Sequence, residues 1–142
     1  MAVLVLDASI ALAALLPDEP AADFAVALLA RVQREGAMVP RHWPDEVGNG
    51  LLMAARRRRI GGMGASGIGA SLARLSLLPL SFADSAPLDA WEAPLRLALT
   101  HRLTLYDARY LELALVMALP LATLDRELRA AAAAERVPLL PI

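Results

Sequence analysis

The chain has 142 residues, 58% of them apolar, with a formal net charge of −1 and no cysteine. That length suits one domain, residues 1–142, with a core of its own. No apolar run reaches the ~18 residues of a membrane span, and the absence of cysteine excludes disulfides and thiolate metal sites and permits a cytoplasmic location. All 14 basic residues are arginine, which excludes a Walker-type phosphate loop and a response-regulator receiver, since both need a lysine.

Residues 2–6 read as a strand buried on both faces, being β-branched or Leu throughout much of their length. A short helix over SIALAALL follows to Pro17, then a second with Phe24, Leu28 and Val32 on one face, ended by Gly36. AMVP is a short strand. Pro44 suits the first turn of a helix that carries Glu46, Val47, Leu51 and Leu52 as far as Arg59. The glycine-rich IGGMGASGIGA reads as an inter-helix loop leading into SLARLSLL. LPLSF is a strand and DAWEAPLRLALTH a helix. The chain closes with a helix over LTLYDARYLELALVMA, a buried strand at LPLATL, a helix at DRELRAAAAAE and a strand at VPLLPI. Strands alternating with helices over short connections predict a three-layer α/β/α sandwich around a mainly parallel sheet. The strand C-terminal ends then share one edge, where open sheets bind ligands.

Four acids stand out: Asp7 and Asp125 end sheet strands, and Glu46 and Asp107 open helices whose N-termini can face the same edge. Singly, each has a modest explanation. Asp7 and Asp125 sit at N-cap positions, Asp107 fits a capping box with Thr104, and Glu46 lies in a first turn favoured by the helix dipole. If they converge, they form a cleft of carboxylates whose mutual repulsion calls for a cation. An all-oxygen ligand set favours Mg²⁺ or Mn²⁺ over zinc. Such an ion polarises a phosphate and activates a bound water for attack on phosphorus. Asp45 adjoins Glu46, but helical neighbours point about 100° apart, so only one faces the cleft.

The segments DASIAL, WPDEVGNGLL, LTLYDARYLELAL and LPLATLDRELRAAA resemble the PIN-domain ribonucleases, and in particular the VapC toxins of bacterial toxin–antitoxin pairs. The resemblance spans nearly the whole chain. It implies a PIN-like fold, Mg²⁺ or Mn²⁺ on Asp7, Glu46, Asp107 and Asp125, and Ser9, Asn49 and Thr123 lining the same pocket. It also implies hydrolysis of RNA phosphodiester bonds, inhibition by a small VapB-like antitoxin, and toxin dimers. Gly48 and Gly50 depart from the pattern, with alanine the more usual residue, and each glycine costs the helix up to ~1 kcal/mol.

Other features carry less. The run Arg56 to Arg59 complements a helix C-terminus and could also contact RNA or an acidic antitoxin segment; Arg109 and Arg126, each close behind an acid, are better placed to meet substrate. Residues 62–67 match a dinucleotide fingerprint, but no strand precedes them. His42 and His101 are expected far from the strand ends that carry the acids, as structural or exposed residues, and Trp43 and Trp91 are expected to pack in the core or at an interface. The apolar surplus calls for a surface covered by a partner or a second copy. Two other functions compete: an inactive PIN-like binding module, and an aspartyl phosphatase, which needs an acid where Ser9 stands and a lysine the chain lacks.

Overall fold

The structure, a computed structural model, describes residues 2–16, 18–57, 65–84 and 90–141, with residues 65 and 66 described by their backbone alone. Five strands form one sheet: β1 (Val5–Leu6), β2 (Ala37–Val39), β3 (Leu80–Phe82), β4 (Leu121–Ala122) and β5 (Leu139–Leu140). Their order across the sheet is β3-β2-β1-β4-β5, and every neighbouring pair is parallel. β1 is therefore central, as an apolar run without alternation requires: Leu4, Val5 and Leu6 have no exposed surface. The regular part of β1 is shorter than the predicted 2–6, but its ladder runs further, from Val3 N–H to the Gly36 carbonyl and from Asp7 N–H to that of Ala122.

Seven helices cover the sheet among the described residues: α1 (Ala8–Leu15), α2 (Ala22–Glu35), α3 (Trp43–Arg56), α4 (Ala65–Leu75), α5 (Glu92–His101), α6 (Leu105–Met117) and α7 (Arg126–Ala134). α1 packs on α2 and α3, and α3 on α4; α6 packs on α5, α7, β1 and β4. These two groups are the outer layers of an α/β/α sandwich. α2 buries Ala25, Leu28 and Val32, the stripe read from its periodicity, and Gly36 turns the chain out of it at φ 79°, where a side chain would be strained. Among the described helices none is long and apolar enough to cross a membrane.

Other boundaries differ from expectation too. α3 closes at Arg56, with Arg57 as its C-cap, rather than continuing to Arg59; Arg58 and Arg59 lie outside the described residues. The glycine-rich stretch is not all loop. Its second half, from Ala65, is the start of α4, because Ile68 and Leu75 pack against the core and offset the low helix propensity of the glycines. Its first half, residues 60–64, lies outside the described residues.

Candidate active site

The chain runs β1, β2, β3 outward to one side of the sheet and then returns to lay β4 and β5 on the other. The reversal falls between β1 and β4, and it opens a crevice at their C-terminal ends. Asp7 follows β1 there, and Asp125 follows β4.

Asp7 occupies the N-cap position of α1 but its side chain does not cap the helix. One oxygen, Oδ2, accepts instead from the hydroxyls of Ser9 at 2.5 Å and Thr123 at 2.7 Å. The network continues through Leu124 N–H, which donates to Ser9 Oγ at 3.0 Å, and Asp125 N–H, which donates to Thr123 Oγ1 at 3.1 Å. Thr123 is fully buried and Asp7 is 4% exposed. Two hydroxyls thus fix one carboxylate oxygen of Asp7, and among the described residues Oδ1 has no hydrogen-bond partner. Asp125 does cap its helix, accepting from Leu128 N–H at 2.8 Å. Arg129 braces the same corner: its guanidinium donates to the Thr123 carbonyl at 3.0 Å and to that of Pro141 at 2.7 Å.

Asp107 sits in the first turn of α6, where its N–H donates to Thr104 Oγ1 at 3.1 Å, the expected cap. Glu46 lies in the first turn of α3, opened by Pro44 as predicted. It is half-buried whereas Asp45 is exposed, so Glu46 is the inward acid of the two.

The four acids feel one another. Burial pushes the Asp7 carboxyl up, the hydroxyls of Ser9 and Thr123 oppose this, and the charges of Glu46 and Asp125 add to it. Asp107 is pushed up to about 6, first by burial and then by the charges of Asp125, Asp7 and Glu46. Each is the signature of like charges gathered in a poorly solvated crevice. Among the described residues, no three acidic or imidazole side chains stand close enough to form a finished ligand cage. The donors are nonetheless of one chemical kind, all carboxylate oxygens, and they suit a hard divalent cation.

Other candidates fall into place unevenly. Ser9 and Thr123 belong to the Asp7 network, but Asn49 is exposed on α3 outside it. Arg126 is exposed beside Asp125. Arg109 is half-buried and tied to Glu112 at 3.3 Å and the Ala90 carbonyl at 3.4 Å. Arg56 and Arg57 end α3 ten residues or more beyond Glu46, about 15 Å along the helix at its usual rise. Trp43 is buried, whereas Trp91 is half exposed. His101 bonds Glu135 at 2.8 Å, joining the ends of α5 and α7.

The expectation for His42 is corrected. Its Nε2 lies 2.7 Å from Glu46 Oε1, so this histidine stands among the acids and not far from them. The spacing of four residues within one helix turn is the signal for the contact. Tyr110, fully buried on α6, is a second residue the sequence did not single out: its hydroxyl faces Glu46 and the Ala8 backbone, and burial together with the charges of Asp7 and Glu46 pushes its pKa up. Arg129 is the third.

Beside this corner a cavity of 620 Å³ opens between the ends of β2 and β3 and the outer side of α6. Phe82, Leu113, Val116 and Met117 give it apolar walls, with Arg41 and Arg109 at its polar margin. It shares His42 with the acidic crevice but contains none of the four acids.

An all-parallel sandwich with acids at the strand reversal defines an α/β protein with an acidic crevice. The chain matches the PIN domain model over residues 4–134, a stretch that includes all four acids, and it belongs to the PIN domain family. PIN domains are generally nucleases and typically use divalent metal ions. The crystal structure of PAE2754 from Pyrobaculum aerophilum is similar, with a TM-score of 0.67 and 28% identity, over 92% of this chain and 87% of that one. No curated protein matches the chain.

Proposed function

We propose that this PIN domain is a metal-dependent endoribonuclease of the cytoplasm, the toxin of a VapBC-type pair. The observation that carries the reading is that burial, and after it the charges of the neighbouring acids among Asp7, Glu46, Asp107 and Asp125, raises the Asp7 and Asp107 carboxyls above the ordinary range. These four would hold Mg²⁺ or Mn²⁺, which when bound supplies the positive charge that activates water and stabilises a phosphodiester in hydrolysis. The chain's own part is positioning. Ser9 and Thr123 hold Asp7 Oδ2 and leave Oδ1 open, Leu128 N–H holds Asp125, and burial keeps competing water from the Asp7 carboxylate. Arg126, exposed next to Asp125, is available to an RNA phosphate.

The toxin role rests on the family resemblance of DASIAL, LTLYDARYLELAL and LPLATLDRELRAAA, and it entails a VapB-like antitoxin and a homodimer. Apolar side chains exposed on α5 and α6 support a covered surface there: Leu95 is 45% exposed, Leu99 82%, Val116 73% and Met117 44%. The test is incubation of mixed cellular RNA with the purified, partner-free protein in Mg²⁺, Mn²⁺ or EDTA, beside Asp7→Asn. Metal-dependent cutting that the substitution abolishes supports the reading. A second reading, an inactive PIN-like binding module, is favoured by the lack of a finished ligand cage among the described residues. A folded, partner-free protein that leaves RNA intact in every metal decides for it.

A further inference from the structure

Three of the four acids have a clear local anchor. Two hydroxyls hold Asp7, a backbone N–H holds Asp125, and the Thr104 cap fixes the backbone that carries Asp107. Glu46 has none of these. It carries the longest and most flexible side chain of the four, and a free glutamate loses the most rotamer entropy on being held to a ligand.

What surrounds Glu46 is a set of rings. The His42 imidazole packs edge-on against both Tyr106 and Tyr110, each with its ring centroid 5.2 Å away, at interplanar angles of 60° and 81°. Both tyrosines belong to α6, one residue before Asp107 and three after it. Four buried side-chain atoms among the described residues lack a hydrogen-bond partner: His42 Nε2, Trp43 Nε1, Glu46 Oε1 and Tyr110 Oη. Three of them meet at one carboxylate. His42 Nε2 is at hydrogen-bond distance from Glu46 Oε1, 2.7 Å, and lacks only alignment. Buried polar groups left unmatched are rare and call for a role.

We infer that His42 is a positioning residue for Glu46: its ring, clamped by Tyr106 and Tyr110, holds Oε1 through Nε2 and leaves Oε2 directed to a divalent cation. The clamp also couples α3 to α6, so Glu46 and Asp107 keep their separation. A neutral imidazole with its proton on Nε2 suffices. This rests on the reading of Glu46 as a cation ligand, and it follows the general pattern in which a partner behind a ligating carboxylate sets its orientation and affinity.

The test is Mn²⁺ titration of the full-length protein, read as a dissociation constant, with thermal melts as the control for folding. His42→Phe keeps an aromatic ring against the tyrosines and removes the donor; it is expected to melt like the wild type and bind Mn²⁺ ~10-fold or more weakly. His42→Gln restores a donor and is expected to recover most of that loss. In a Glu46→Ala background, His42→Phe should cause no further loss, since its effect passes through Glu46. Equal Mn²⁺ affinity for His42→Phe and wild type overturns the inference, as does a loss that persists undiminished without Glu46. Should His42→Phe fail to fold, the same cycle with His42→Asn, whose amide is too short to reach Oε1, serves instead. Wild-type protein that binds no Mn²⁺ overturns both this inference and the metal-dependent nuclease. Mn²⁺ binding that depends on His42 in a protein that cuts no RNA removes the nuclease alone, and RNA cutting with an affinity indifferent to His42 removes the positioning role alone.

Discussion

The hydroxyl of Thr123 donates to Asp7 Oδ2 at 2.7 Å, joining residues 116 positions apart. Neither atom has water to fall back on, since Thr123 is fully buried and Asp7 nearly so. Thr123→Val keeps the shape and deletes the donor, and it also strips Asp125 N–H of its acceptor. We expect a loss of roughly 1–3 kcal/mol in urea unfolding, with Thr123→Ser within about 1 kcal/mol of wild type. Equal stability of Thr123→Val and wild type contradicts this.

Asp7→Asn removes a buried charge that Glu46 and Asp125 repel, while its amide oxygen can still accept from Ser9 and Thr123. In EDTA at neutral pH the variant should be more stable than wild type by about 1 kcal/mol or more, although under the proposed function it should not cleave RNA. The order should narrow or reverse when Mg²⁺ is added, because only the wild type gains a bound cation. A lower melting temperature for Asp7→Asn in EDTA refutes the account of repulsion.

The acids also set a pH dependence. A carboxyl whose folded pKa is raised holds its proton more tightly folded than unfolded, so its stabilising contribution is complete below the unfolded value and is lost as pH rises through the folded one. For Asp107 the window runs from its ordinary 3.8 to about 6. Metal-free protein should therefore lose stability across that range, and Asp107→Asn should lose less. Urea midpoints in EDTA at a series of pH values measure it, and a wild-type slope no steeper than that of Asp107→Asn counts against it.

Arg129 donates to the carbonyls of Thr123 and Pro141 from one guanidinium. Arg129→Met removes both bonds and keeps much of the aliphatic stem. A loss of about 1.5–3 kcal/mol is expected, with weaker Mn²⁺ binding, since the backbone of Thr123 leads directly into Asp125. Unchanged Mn²⁺ affinity would confine Arg129 to a role in stability.

The two unusual glycines of α3 separate. A Cβ at Gly48 meets nothing within 4 Å, whereas one at Gly50 falls 2.4 Å from a Leu12 methyl on α1. Gly48→Ala should stabilise by up to ~1 kcal/mol, and Gly50→Ala should gain clearly less or lose, because Leu12 must move aside. Calorimetric melts of the two variants give the order directly.

How far the sequence could be read depended on whether a feature was local. The Thr104 cap on Asp107, Pro44 at the start of α3 and the buried stripe of α2 each follow from residues within a turn or two, and the structure has them. Asp7 shows the limit. Its position is that of an N-cap, but the hydroxyl of Thr123 arrives from a distant strand and takes the oxygen a cap would have used. His42 was legible in principle, four residues before Glu46, but a search for a second histidine at ligand spacing passes over a histidine that serves a carboxylate. The rings of Tyr106 and Tyr110 that it packs against come from α6, and no local pattern announces such a clamp.

The strand order has a consequence for the birth of the molecule. The central strand β1 is made long before its neighbour β4, which comes with Thr123 and Asp125. A nascent chain on the ribosome therefore has Asp7 without its Thr123 hydroxyl, and no product that stops short of Asp125 carries all four acids. Under the proposed function, RNA close to the emerging polypeptide, the translated message included, is out of danger until Asp125 has been made.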